Sequence, residues 1–168
     1  AYRINNKITS FNTHKKLALS FRKLKSTNNK LSIVPPLLRS EVLKLSPENE
    51  DYILAYVVNK GYSDEIIKWH SRNKKIKLHC FWDNKEFPDE WSPNPNLTFH
   101  HINDQKFLKL MSGCIGYAST AGFESICEAM YLDKPVLMVP VKGQYEQACN
   151  AEDAILANAG IKARKFNI

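Results

Sequence analysis

No run in these 168 residues is long and apolar enough to span a bilayer, and no secretory signal opens the chain. The sequence begins at Ala1 without an initiator Met, and its first thirty residues are polar and basic, which leads us to expect a piece of a longer polypeptide. C-x-x-C pairs are missing. Cys80, Cys114, Cys127 and Cys149 stand in apolar or helical contexts, as buried thiols of a reducing compartment do, so a cytoplasmic protein is expected. Neither a P-loop nor G-x-G-x-x-G is present. No repeat or low-complexity tract appears. His100 and His101 are adjacent on a strand and point to opposite faces, and no cysteine–carboxylate set has ligand spacing, so no metal site is expected.

The hydrophobic content of 43% is that of an ordinary soluble protein, and the length suits one domain with a genuine core. The formal charge of +7 would attract nucleic acid, an anionic membrane surface or phosphorylated substrates. Much of it lies early, at Arg3, Lys7, Lys15, Lys16, Arg22, Lys23, Lys25 and Lys30. Leu17, Phe21 and Leu24 predict an amphipathic helix around 15–24, Leu31 to Val34 a short strand, and Pro35 and Pro36 its end. Residues 1–50 thus read as a basic N-terminal segment and linker in which His14 is solvated. A solvated face is preferred there over a nucleic-acid site.

From Asp51 the pattern becomes regular. Strands are predicted at 52–58, 77–82, 96–102, 115–118, 135–139 and 161–166, with a turn at Asn59, Lys60 and Gly61. Helices are predicted at 63–71, 104–111, 122–132 and 146–159. Strands alternating with helices give an α/β fold, a Rossmann-like parallel sheet covered on both faces. Phe81, Trp82 and Trp91 read as packing residues, and Asp89 and Glu90 as a solvated Pro-rich loop.

Residues 113–160 carry the chemistry. A short strand runs into the small-residue turn Ser119, Thr120, Ala121 and Gly122, which opens a helix. Phe123, Ile126, Cys127, Met130 and Tyr131 share its apolar face, leaving Glu124, Ser125 and Glu128 opposite. Small residues let a phosphate approach the backbone, and the helix dipole favours its charge. The next strand leads to Glu146, Gln147 and Asn150, at the start of a second helix on the same sheet edge.

In this combination residues 51–166, about two-thirds of the chain, resemble the C-terminal donor-binding domain of GT-B glycosyltransferases. The likeness is to the branch of the peptidoglycan N-acetylglucosaminyltransferase and the UDP-glycosyltransferases. It implies that Glu128, seven residues before Pro135, receives ribose hydroxyls, and that Thr120, Gly122 and Ser125 lie at the diphosphate. It further implies that Glu146, Gln147 and Asn150 hold the sugar and that the stretch from Phe99 to Ile102 meets the base. Plant-type members carry histidine where this chain has Thr120. Glu124 would sit beside a diphosphate unless it turns to solvent or meets Lys60.

The resemblance implies transfer of a hexosyl group from an NDP-sugar, UDP-sugar in particular, to an acceptor hydroxyl, with no tightly bound cofactor. The acceptor domain and catalytic base would lie N-terminally or in a separate subunit, so this chain alone would transfer little or nothing. Peripheral contact with the inner face of a membrane would fit an enzyme acting on lipid carriers. Three alternatives remain open: a noncatalytic partner subunit of a split glycosyltransferase, a sugar-nucleotide epimerase-like enzyme, and a basic nucleic-acid-binding module whose affinity would fall steeply with salt.

Overall fold

Ile53, Leu54, Ala55 and Tyr56 form a central strand because apolar neighbours lie on both of its faces; Leu54 and Ala55 are fully buried. The computed structural model describes residues 2–26, 29–58 and 60–168, so the predicted turn residue Asn59 lies outside the described residues. The elements run α1 (Tyr2–Thr9), β1 (Lys16–Leu19), β2 (Leu31–Val34), β3 (Ile53–Tyr56), α2 (Lys60–His70), β4 (Leu78–Trp82), β5 (Glu90–Asn94) and β6 (Leu97–His101). They continue with α3 (Asp104–Gly113), β7 (Gly116–Ser119), α4 (Phe123–Tyr131), β8 (Val136–Met138), α5 (Tyr145–Leu156) and β9 (Gly160–Lys162).

The main sheet has the order β5-β6-β4-β3-β7-β8-β9, parallel throughout except for β5. The chain steps outward from β3 to β4 and β6, returns through α3 to β7 beside β3, and then steps the other way. Strand order therefore reverses between β3 and β7, the place where open α/β sheets leave a crevice at their carboxyl edge.

One core joins α3, α4 and α5 to the sheet through Met111, Ile126, Ala129, Ala151 and Ala154, which meet Leu54, Phe81, Tyr117 and Met138. A second packs Ile66 of α2 and the tail residue Phe166 against Leu78, Cys80, Trp82 and Phe99. Local chemistry sets the helix ends. The Asn103 side chain accepts from the Lys106 N–H at 2.9 Å to cap α3, while Asp133 and Asn158 take left-handed backbone just after α4 and α5.

Several expectations change. Lys60 and Gly61, expected in a turn, already belong to α2. Residues 16–19 form a strand rather than part of a helix, because Lys16 to Leu19 pair in parallel with Leu31 to Val34. Glu90 belongs to a strand, not a loop: β5 pairs antiparallel with β6 at the sheet edge, where Pro93 needs no ladder partner for its missing N–H. Cys149 is exposed, whereas Cys80, Cys114 and Cys127 are buried as expected. On α4, Glu128 is only 3% exposed, and Tyr131, assigned to the apolar face, is half exposed.

The N-terminal residues do more than link. Val42 is fully buried, and Phe21, Leu38 and Leu45 pack on the same core. Asp153 of α5 accepts from the Ser20 hydroxyl at 2.7 Å, the Phe21 N–H at 2.9 Å and Arg22 Nε at 2.7 Å. Burial works against its ionised form, but these donors outweigh burial and hold the carboxyl below its ordinary range.

Candidate functional site

At the carboxyl edge, above the strand-order reversal, lies a cleft of about 980 Å³. Its floor is aromatic: Phe107 meets Tyr56 edge-on at 5.6 Å and Phe81 at 5.4 Å between ring centroids. Ile102 forms part of the lining at the end of β6, and Leu17 and Leu19 of β1 add apolar surface. The polar lining comes from Glu124, Ser125 and Glu128 of α4, with Gly122 at its start, from Glu146 and Asn150 of α5, and from Arg39 and Asp104.

Six predicted site residues therefore share one cleft: Ile102, Gly122, Ser125, Glu128, Glu146 and Asn150. Thr120 and Gln147 do not line it. The Thr120 carbonyl accepts from the Ser119 hydroxyl and the Gly122 N–H, both at 2.7 Å, which tightens the turn. Gln147 Oε1 accepts from the Val141 N–H at 2.9 Å and fixes the β8–α5 connection. Asn150 donates its side-chain amide to the Ala121 carbonyl at 3.0 Å, so the two predicted contact segments are joined directly.

Gly122 precedes α4 in extended backbone, φ −70° and ψ 139°, and no side chain caps the helix. The first-turn N–H groups thus meet the cleft without the usual hydroxyl or carboxylate acceptor. A Cβ built on Gly122 would have nothing within 4 Å. Glu124 is exposed where it lines the cleft. Below the turn, burial raises the Tyr117 pKa, with the hydroxyls of Ser119 and Ser125 acting in the opposite sense.

The cleft is acidic apart from Arg39, which the sequence reading missed. Arg39 Nε lies 2.5 Å from Glu128 Oε1 and Nη2 lies 2.7 Å from Oε2, a two-pronged pair, while Nη1 lies 3.5 Å from Asp104 Oδ1. The hydrogen bond to Glu128 raises the Arg39 pKa more than burial lowers it. Nothing in residue spacing announces a pair separated by 89 positions. Tyr56 was also missed, although its place at the carboxyl end of a buried strand is a usable signal.

The histidines do other work. His79 Nδ1 and His100 Nε2 are 2.9 Å apart in stacked rings, and burial, followed by Lys106 and His79, pulls the His100 pKa down to about 4. His101 lies between Asp89 Oδ1 and the Asn84 carbonyl, each at 2.9 Å. Among the described residues no group of three or more His, Cys, Asp or Glu could hold a metal ion, and no helix is long and apolar enough to cross a membrane. Trp82, Trp91, Phe87 and Phe99 pack on one another, with Trp82 and Trp91 stacked at 5.5 Å.

Comparison with known proteins extends this picture. The family model described as glycosyl transferase family 1 matches residues 4–167. Among solved structures, the glycotransferase of kitacinnamycin aligns with a TM-score of 0.57 at 12% identity, over 80% of this chain and 36% of that one. The spinosyn rhamnosyltransferase SpnG complexed with thymidine diphosphate aligns at 0.53 and 11% identity, over 84% of this chain and 40% of that one. The glycosyltransferase SnogD from Streptomyces nogalater aligns at 0.51 and 14% identity, over 76% and 34%. No curated protein matches the sequence. At these identities the likeness establishes the fold, a Rossmann-like GT-B half, and the chain spans 34% to 40% of the length of these structures.

Proposed function

Because the chain belongs to glycosyl transferase family 1, we propose that it is the donor-binding half of a hexosyltransferase whose cleft takes a nucleoside-diphosphate sugar, a UDP-sugar in particular. One observation carries this reading: the uncapped start of α4 opens into the same cleft as the buried Glu128 carboxylate and the aromatic floor. A diphosphate on the N–H groups of α4, ribose hydroxyls on Glu128 and a base over Tyr56 and Phe107 beside Ile102 fill that arrangement from one end to the other. Asn150 and Glu146 lie on the α5 side, where the sugar hydroxyls belong. Thr120 and Gln147 support the turn and the loop rather than touching the donor.

In the reaction an acceptor hydroxyl attacks the anomeric carbon, the bond from that carbon to the diphosphate oxygen breaks, and the nucleoside diphosphate leaves with the electron pair. The helix dipole and N–H groups of α4 stabilise the charge gathering on the leaving group. The acceptor and the base that takes its proton belong to a further domain or subunit, so the chain alone binds donor and transfers little. That SpnG is complexed with thymidine diphosphate supports a nucleotide ligand for this fold and makes TDP the natural competitor of UDP in the test.

The test is calorimetric titration of the chain with UDP, TDP, GDP, uridine and UDP-sugars. We expect UDP to bind well above uridine and Glu128→Ala to weaken UDP by about 1 to 3 kcal/mol through lost ribose hydrogen bonds. Equal affinity for nucleoside and diphosphate would overturn the reading. The exposed Ile4, Ile8 and Phe11 near Lys7 support contact of the N-terminal segment with an anionic membrane surface. Co-sedimentation with vesicles containing phosphatidylglycerol, lost in high salt, is the expected outcome; no binding at low salt would end that part of the proposal.

A further inference from the structure

Glu128 is 3% exposed, in the wall of a cleft that also carries Asp104, Glu124 and Glu146. A carboxylate so buried is costly without a partner. Its partner comes from far away in sequence, from the stretch after Pro35 and Pro36 that Leu38 and the fully buried Val42 fasten to the core. The Arg39 fork meets both Glu128 oxygens and leans toward Asp104 at the start of α3. One guanidinium thereby joins three chain segments at the mouth of the cleft.

We propose that Arg39 is a positioning residue for donor binding: it holds the Glu128 carboxylate in one plane, with its charge balanced, so that the remaining lone pairs receive ribose hydroxyls. The proposal deepens the donor-cleft reading and rests on it. A carboxylate has about four acceptor positions, and the two-pronged contact engages only one on each oxygen. The ribose and Arg39 therefore share Glu128 without displacing one another. The same pairing lowers the repulsion that four carboxylates would exert on an incoming diphosphate. A lysine would restore charge but not the planar fork.

The experiment compares UDP with 2′,3′-dideoxy-UDP by calorimetry on the full chain and on Arg39→Ala, Arg39→Lys, Glu128→Gln and the Arg39→Ala/Glu128→Gln double variant. The wild type should prefer UDP by about tenfold or more, the worth of one or two hydrogen bonds. Arg39→Ala should lose most of that preference, Glu128→Gln should lose it too, and the double variant should be no worse than the poorer single one. Arg39→Lys, which keeps the charge, should fall between and should unfold at close to the wild-type temperature.

A merely structural role would weaken both nucleotides equally and leave their ratio unchanged in the folded Arg39→Lys protein. That result would overturn the proposal. Tighter UDP binding by Arg39→Ala would also overturn it, by showing that Arg39 competes with the ribose. A wild type that binds no nucleoside diphosphate would instead sink the donor-cleft reading itself, whereas normal wild-type preference with unchanged variants would sink only the role of Arg39.

Discussion

Asn150 of α5 donates to the carbonyl of Ala121, 3.0 Å away, and so fastens the second polar helix to the turn that opens the first. Asn150→Ala should cost about 1 to 2 kcal/mol, because a partly buried acceptor loses its donor. Affinity for UDP should fall with it as the turn and α5 lose their common reference. Asn150→Asp keeps the shape but sets acceptor against acceptor, so it should be at least as harmful. Urea unfolding with parallel titration checks both; an Ala variant of unchanged stability would show that the bond contributes nothing.

The second prediction concerns the hold on the N-terminal segment. Asp153 has a depressed folded pKa, so its contribution is present above the unfolded value of about 3.9 and disappears as pH falls through the folded value. Below about pH 4 the segment around Ser20 and Arg22 should therefore loosen. Asp153→Asn should produce the same loosening at neutral pH, at a cost of about 1 to 2 kcal/mol, since its amide can serve only part of that donor set. Limited proteolysis between residues 20 and 31 reports it directly. Equal cleavage of variant and wild type at pH 7 would refute the assignment.

His100 gives a separate window. Its folded pKa of about 4 lies below the unfolded value of about 6.5, so the unfolded chain binds more protons between the two and stability is lost as pH falls across that interval. Burial drives the shift, Lys106 and His79 add to it, and Glu90 opposes it. The expected loss by pH 4 is about 1 to 3 kcal/mol, and His100→Phe should flatten much of the slope. Urea midpoints at pH 7, 5.5 and 4.5 make the check. A flat wild-type profile above pH 4.5 would exclude it.

Two glycines should respond differently to alanine. A Cβ at Gly160 would fall 1.9 Å from the Val136 carbonyl oxygen, so Gly160→Ala must push β9 away from β8, costing about 3 kcal/mol or more. Gly143, at φ 85° with open space around it, meets only backbone strain, and its alanine variant should cost about 1 to 2 kcal/mol. Thermal unfolding of the pair decides the order, and a milder effect at Gly160 would contradict the packing described above.

The parallel sheet was legible because its strands are short apolar runs separated by helices of the right period, and the cleft because small residues at Ala121 and Gly122 sit between one of these strands and a helix. What stayed hidden depends on distant partners. Lys16 to Leu19 reads as helix until β2 supplies a ladder. Glu128 looks solvated on its own helix, since Arg39 approaches it across 89 positions. Gln147 looks like a ligand contact until the Val141 N–H is found on it. Periodicity reports which face is apolar; it does not report which polar group already has a partner.

Gly122 has ordinary extended backbone, and no atom of the chain stands where its side chain would be. Neither conformation nor internal crowding requires the smallest residue there, so folding and occupancy can be separated at this one position. Gly122→Ala should unfold like the parent protein. Any penalty that the added methyl imposes on UDP is then a direct measure of how closely the guest comes to the main chain.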